Sequence, residues 1–106
     1  MGSIKKLEDY SKNELRSWRL IHTNAFMIKS KEDLDKFNLY IEYMLKNLPC
    51  GSCRTDAKRY ITLNPIPTVV EDKNIFKWTW EYHNYVNKKL RKPEMEWDTV
   101  VEIYFT

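Results

Sequence analysis

"TVVEIYF", residues 99 to 105, is the stretch on which the fold class turns. It is β-branched and aromatic, the composition of a strand. A strand needs a partner, and no other segment of the chain alternates apolar and polar residues convincingly. Outward from it the sequence reads as helix. Its only glycines are Gly2 and Gly51 and its only prolines Pro49, Pro65, Pro67 and Pro93, and these few breakers separate long periodic segments. The chain therefore reads as all-α: a four-helix bundle with a short fifth helix, "PEMEWDTVVEIYF", with Pro93 at its first position.

The first helix is expected from Ser11 to Lys29, because Ser11 and Glu14 have the spacing of a capping box. Leu15, Trp18, Ile21, His22, Ala25 and Phe26 fall on one face of it. Ser30 caps the second, whose apolar stripe is Leu34, Phe37, Ile41, Met44, Leu45 and Leu48, and Pro49 ends it. The third begins at "CGSC" and runs to Leu63. "NPIPT" is a loop, since proline cannot sit inside a helix. The fourth spans Glu71 to Leu90, with Ile75, Trp78, Tyr82, Val86 and Leu90 along one side.

With 106 residues, the chain is long enough for one core and too short for two. We expect a flexible segment over residues 1–10 and a single domain over 11–106. The 14% aromatic share, including four tryptophans, suits a bulky core or a site for a flat ligand. Net charge is only +3, with both signs interspersed, so a nucleic-acid partner is not expected. The densest basic group is Lys88, Lys89, Arg91 and Lys92, which would form a solvated helix end or hold phosphate. No run of about 18 apolar residues and no apolar leader is present, so neither a membrane partner nor secretion is expected. The compartment expected is the cytoplasm.

The two cysteines lie together in "KNLPCGSCRTDA", residues 46 to 57. In a reducing compartment such a pair is more often catalytic or metal-binding than a structural staple. A structural zinc site wants four ligands. Here one pair is joined only by His22 and His83, at spacings unlike a zinc finger, so no metal is expected. Haem attachment wants His after the second cysteine, and position 54 is Arg. A thioredoxin-like reductant wants a βαβ setting that the pattern lacks. A buried, inert pair is the bland reading. Against it, Pro49 and Gly51 shape a turn that sets the pair at a helix N-terminus, where the field favours thiolate, and Arg54 adds positive charge.

Residues 78 to 93, "WTWEYHNYVNKKLRKP", form a second constellation. His83 and Asn87 are one turn apart, followed by lysines, and "WRLIH" sets Trp18 one turn from His22 on another helix. Each polar group alone reads as a satisfied core or surface residue. Together they suit a flat ligand that carries phosphate.

"RSWRLIHTNA", "LPCGSC" and "HNYVNKKLRKP", in that order, resemble the signature blocks of the Erv/ALR flavin-dependent sulfhydryl oxidases over about Glu14 to Tyr104, in a form most like the small viral members. The resemblance implies FAD at the mouth of the bundle beside a redox-active Cys50–Cys53 pair, and a homodimer. By position it implies that Trp18, His22, His83, Asn84, Val86, Asn87, Lys89, Lys92 and Tyr104 line the cofactor, with Phe26 and Leu48 as secondary candidates. It implies an enzyme that takes electrons from a dithiol-containing protein or a thioredoxin-like carrier and passes them to oxygen, giving hydrogen peroxide, in the host cytoplasm if the chain is viral. Cys50 would be the exposed sulfur that a substrate attacks, and Cys53 would face the flavin. Trp80 and Trp97 stand where the family's structural disulfide is expected, so they should pack on each other. Arg91 stands where a glycine is common. For a dimer face, the second helix offers Phe37, Tyr40, Ile41 and Tyr43. The rival readings are a zinc- or nucleic-acid-binding module and a non-catalytic helical interaction domain.

Overall fold

The structure is a computed structural model and describes residues 17–105, with side chains through Ile103. The expected flexible segment, the Ser11 cap, Leu15 and the side chain of Tyr104 lie outside the described residues. Five helices follow in order: α1 (Trp18–Phe26), α2 (Lys31–Lys46), α3 (Gly51–Leu63), α4 (Asn74–Lys89) and α5 (Trp97–Phe105). Among the described residues there is no strand, and "TVVEIYF" is helical. Its β-branched residues still serve a helix, because Val100 is fully buried and α5 packs against α1. Tertiary burial outweighs the weak intrinsic preference. No helix of the described residues is long and apolar enough to cross a membrane.

The boundaries correct the sequence reading at four places. Ser17 is extended and is the N-cap of α1, so the helix does not run unbroken from Ser11. The same helix stops at Phe26 rather than Lys29, because the next corner is built tightly. Ser30 is extended and its hydroxyl accepts from the Asp33 amide, while the Lys29 amide donates to the Asp33 carboxylate. α4 begins at Asn74 rather than Glu71, since Lys73 before it is left-handed at φ 63°. The Asn74 side chain ties that turn, accepting from the Glu71 amide and donating to the Val69 carbonyl. The fifth helix begins at Trp97 rather than Pro93. Residues 92–96 are held out of helix by hydrogen bonds to Met95, described below.

The core follows the predicted stripes. Ile21 and Ala25 of α1, Leu34, Phe37, Ile41 and Met44 of α2, and Ile75, Trp78 and Tyr82 of α4 are all buried. Ala57 and Tyr60 add the inner face of α3. α1 packs most extensively on α4, and α2 on α3. The α2 residues offered as a dimer face need correction. Phe37, Tyr40 and Ile41 belong to the core, at 1%, 2% and 2% exposure, and only Tyr43 of that set reaches the surface. The exposed apolar neighbour on the outer face is Leu39.

Candidate functional site

Cys50 and Cys53 form a disulfide at the start of α3. Cys50 is the N-cap, extended at φ −125° and ψ 148°, and its sulfur accepts from the Cys53 amide at 3.1 Å. The Ser52 hydroxyl lies 3.5 Å from the same sulfur. The sequence thus caps the helix with sulfur where Ser or Asp is usual. A thiolate on Cys50 would meet an amide donor and the positive end of α3. Arg54 folds back, its guanidinium donating to the Leu48 carbonyl at 2.7 Å and lying beside Gly51. That bond braces the turn before the pair. Taken as whole residues, Cys53 is the more exposed and Cys50 is half-buried. Part of the Cys53 surface faces a cavity.

That cavity holds about 270 Å³ and lies among α1, α2, α3 and α4. Trp18, Met44, Cys53, Tyr82, Val86 and Lys89 are among its lining. It falls just below the range for ligand pockets, roughly 300–1,000 Å³. Of the residues expected at a cofactor, Trp18, Val86, Lys89 and the secondary candidate Leu48 reach this wall together with Cys53. Lys89 is also paired. Its ammonium donates to the Asp56 carboxylate, which accepts from the Tyr85 hydroxyl at 2.9 Å as well. The bond from Lys89 holds the Asp56 carboxyl below its usual range, and Asp56 in turn raises Lys89. Burial, with the Asp56 charge nearby, pushes the Tyr82 phenol up to about 12, so it stays neutral.

His22 and His83 form a unit behind Trp18. The Trp18 and His83 rings stack with centroids 3.9 Å apart and planes within 6°. His22 Nε2 and His83 Nδ1 are 2.9 Å apart, and His22 Nδ1 is 2.9 Å from the Thr79 hydroxyl. Both imidazoles are lowered to about 4, His22 by burial and then by His83, His83 by burial and then by the Lys92 charge. At neutral pH the pair carries no charge.

The remaining expected residues do other work. Asn84 does not face the cavity. Its amide oxygen accepts from the Met95 amide at 2.7 Å and its amino group donates to the Met95 carbonyl at 2.9 Å. Trp80 donates its indole N–H to that same carbonyl at 2.7 Å and packs edge-on against Trp97, with centroids 5.3 Å apart. The two tryptophans therefore meet as expected. Asn87 is 9% exposed, and among the described residues its side-chain amide makes no hydrogen bond. Lys92 is exposed beside the last turn of α4. Phe26 packs edge-on against Phe76, under the Lys73 ammonium, and takes no part in the cavity wall.

Sequence reasoning missed Asp56, Thr79, Tyr82 and Tyr85 as members of this region. The available signal was periodicity: Asp56 lies three residues after Cys53, and Thr79 lies four before His83. Among the described residues no group of three or more His, Cys, Asp or Glu comes together to hold a metal ion.

A family profile described as the Erv1 / Alr family matches residues 15–105. The chain belongs to the Erv1/Alr family. Two similar proteins are FAD-linked sulfhydryl oxidases of African swine fever virus, each 32% identical and covering 82% of this chain and 75% of their own length. The mitochondrial FAD-linked sulfhydryl oxidase ERV1 of Saccharomyces cerevisiae is 31% identical over 83 residues, which is 76% of this chain and 43% of that protein. No solved structure matches the chain significantly. For this Erv1/Alr member the chemistry of the cavity fits part of a flavin cofactor. It is an apolar, aromatic-walled slot with Cys53 of the disulfide at one edge, a lysine at another and the near-buried Asn87 amide on α4.

Proposed function

We propose that this Erv1/Alr protein is an FAD-linked sulfhydryl oxidase that introduces disulfides into dithiol proteins through Cys50 and Cys53. The observation that carries the reading is Cys53 on the wall of the aromatic cavity, bonded to Cys50 at a helix N-terminus. Trp18, Val86 and Lys89 would hold the ring system, with Asn87, His22 and His83 nearby and Lys92 at the phosphates. Asn84 would act at one remove by fixing the Met95 loop, and Tyr104 remains a candidate from the resemblance.

In the first step a substrate thiolate attacks the Cys50 sulfur. A substrate–Cys50 bond forms, the Cys50–Cys53 bond breaks, and Cys53 leaves as thiolate. The substrate's second thiolate then attacks its own bridged sulfur and expels Cys50. The Cys53 amide, the Ser52 hydroxyl and the α3 terminus stabilise the Cys50 thiolate as it forms. The net change is one dithiol oxidised, two protons released and two electrons held by the cysteine pair. When bound, FAD would supply the acceptor for those two electrons and their route to oxygen, with hydrogen peroxide as the product. Trp18 and Tyr82 line the same cavity as Cys53 and give it aromatic walls. The substrate is a protein dithiol or a thioredoxin-like carrier, the setting is the cytoplasm, and the working form is a homodimer.

The test is the visible spectrum of the purified protein, followed by oxygen uptake on adding dithiothreitol. Flavin bands with uptake abolished in Cys53→Ala are expected. A colourless protein that takes up no added FAD sinks the reading.

A further inference from the structure

The hydrogen bonds around Thr79 fix where each proton of the histidine pair lies. Thr79 is fully buried, and its hydroxyl donates to the Phe76 carbonyl at 2.6 Å. A carbonyl only accepts, so the single hydroxyl hydrogen is committed there. The Thr79 oxygen must then accept at its contact with His22, which makes His22 Nδ1 the protonated nitrogen. His22 is fully buried and neutral, so its Nε2 carries a lone pair. At 2.9 Å from that lone pair, His83 Nδ1 must be the donor. The neutral His83 ring is left with a bare Nε2, which makes no hydrogen bond among the described residues. The Trp18 stack fixes the ring plane, and the exposed Lys92 supplies the positive charge that bears on it.

We propose that Thr79 is a positioning residue that sets both histidines in their Nδ1–H forms, so that His83 offers Nε2 as an acceptor to an N–H or O–H donor of the bound nucleotide cofactor. The ligand half of this rests on the FAD reading; the proton arrangement does not. The cause is directional. With valine in place of Thr79, the buried Nδ1–H on His22 would lose the hydroxyl oxygen that accepts from it, which costs more than an idle lone pair. His22 would move its proton to Nε2 and donate to His83 Nδ1. His83 would then carry Nε2–H, and a ligand donor would face a second donor.

The test reads imidazole ¹⁵N shifts in the whole protein through long-range ¹H–¹⁵N correlation, with the two histidines assigned from His83→Gln. Protonated Nδ1 on both is expected for the parent and for Thr79→Ser. Protonated Nε2 on both is expected for Thr79→Val, with FAD dissociation constants raised about tenfold in that variant alone. Parent protein with protonated Nε2 on His83, or Thr79→Val with unchanged shifts, overturns the proposal. If the parent binds no FAD, the oxidase reading and the ligand half fall together, while the shifts still decide the proton arrangement.

Discussion

Arg91 carries a left-handed backbone, φ 57°, one residue past the C-cap of α4. Its amide donates to the Lys88 carbonyl and the Lys92 amide to the Asn87 carbonyl, the two bonds of a Schellman ending. Glycine suits that position because it has no Cβ to strain. Arg91→Gly should therefore stabilise the fold by about 1 kcal/mol, read as a higher urea midpoint at unchanged slope. The histidine pair makes a second prediction at this scale. Both rings are lowered to about 4 in the folded chain, against 6.5 for an ordinary histidine. Between those values the unfolded chain binds protons that the native chain refuses, so stability should fall as pH drops from about 6.5 to about 4 and change little above that window. For the buried His22 the loss is of order 3 kcal/mol; for the half-exposed His83 it is smaller. Urea midpoints at pH 7.5, 5.5 and 4.5 check it, and a flat series would contradict it.

α5 is tied to α4 through Met95 rather than through sulfur. Asn84 brackets the Met95 peptide, Trp80 shares its carbonyl, and Trp97 meets Trp80 edge-on. The same bonds explain why the fifth helix starts late: the Met95 carbonyl accepts from both Trp80 and Asn84, which leaves no lone pair for the amide four residues on in a helix begun at Pro93. Aromatic pairs of this geometry couple by about 0.5–1.5 kcal/mol beyond their area. A double-mutant cycle on Trp80→Leu and Trp97→Leu should return a coupling in that range, and a coupling indistinguishable from zero would show that the contact is incidental. Because no thiol takes part, the tie should survive reductants that open Cys50–Cys53.

The whole molecule sets one cavity at the meeting of four helices, with the CxxC turn on one wall and α4 on another. Asp56, Tyr85 and Lys89 join α3 to α4 at its edge, which keeps Cys53 in register with Val86. A homodimer built on α2, as the sequence suggested, would meet on its outer face, where Leu39 is 59% and Tyr43 36% exposed, since Phe37, Tyr40 and Ile41 are consumed by the core. Leu39→Lys should sediment as a monomer at concentrations where the parent is a dimer. A parent that is itself monomeric removes the dimer from the proposed function.

The helices and the CxxC at a helix start were legible in the chain, because apolar periodicity, rare breakers and the Ser30 cap are local signals, while the flavin came only from the resemblance to the Erv/ALR blocks. The same resemblance implied the meeting of Trp80 and Trp97. What the chain did not disclose was which side chains answer one another across helices. Asn84 was expected at the ligand, and nothing local announced that its amide brackets Met95. Thr79, which no motif marked, bonds the Phe76 carbonyl and meets His22. Helical spacing says which face a residue occupies. Only the packing of α1, α3 and α5 against α4 decides which donor finds which acceptor, because hydrogen bonds depend on tenths of an ångström that no spacing records.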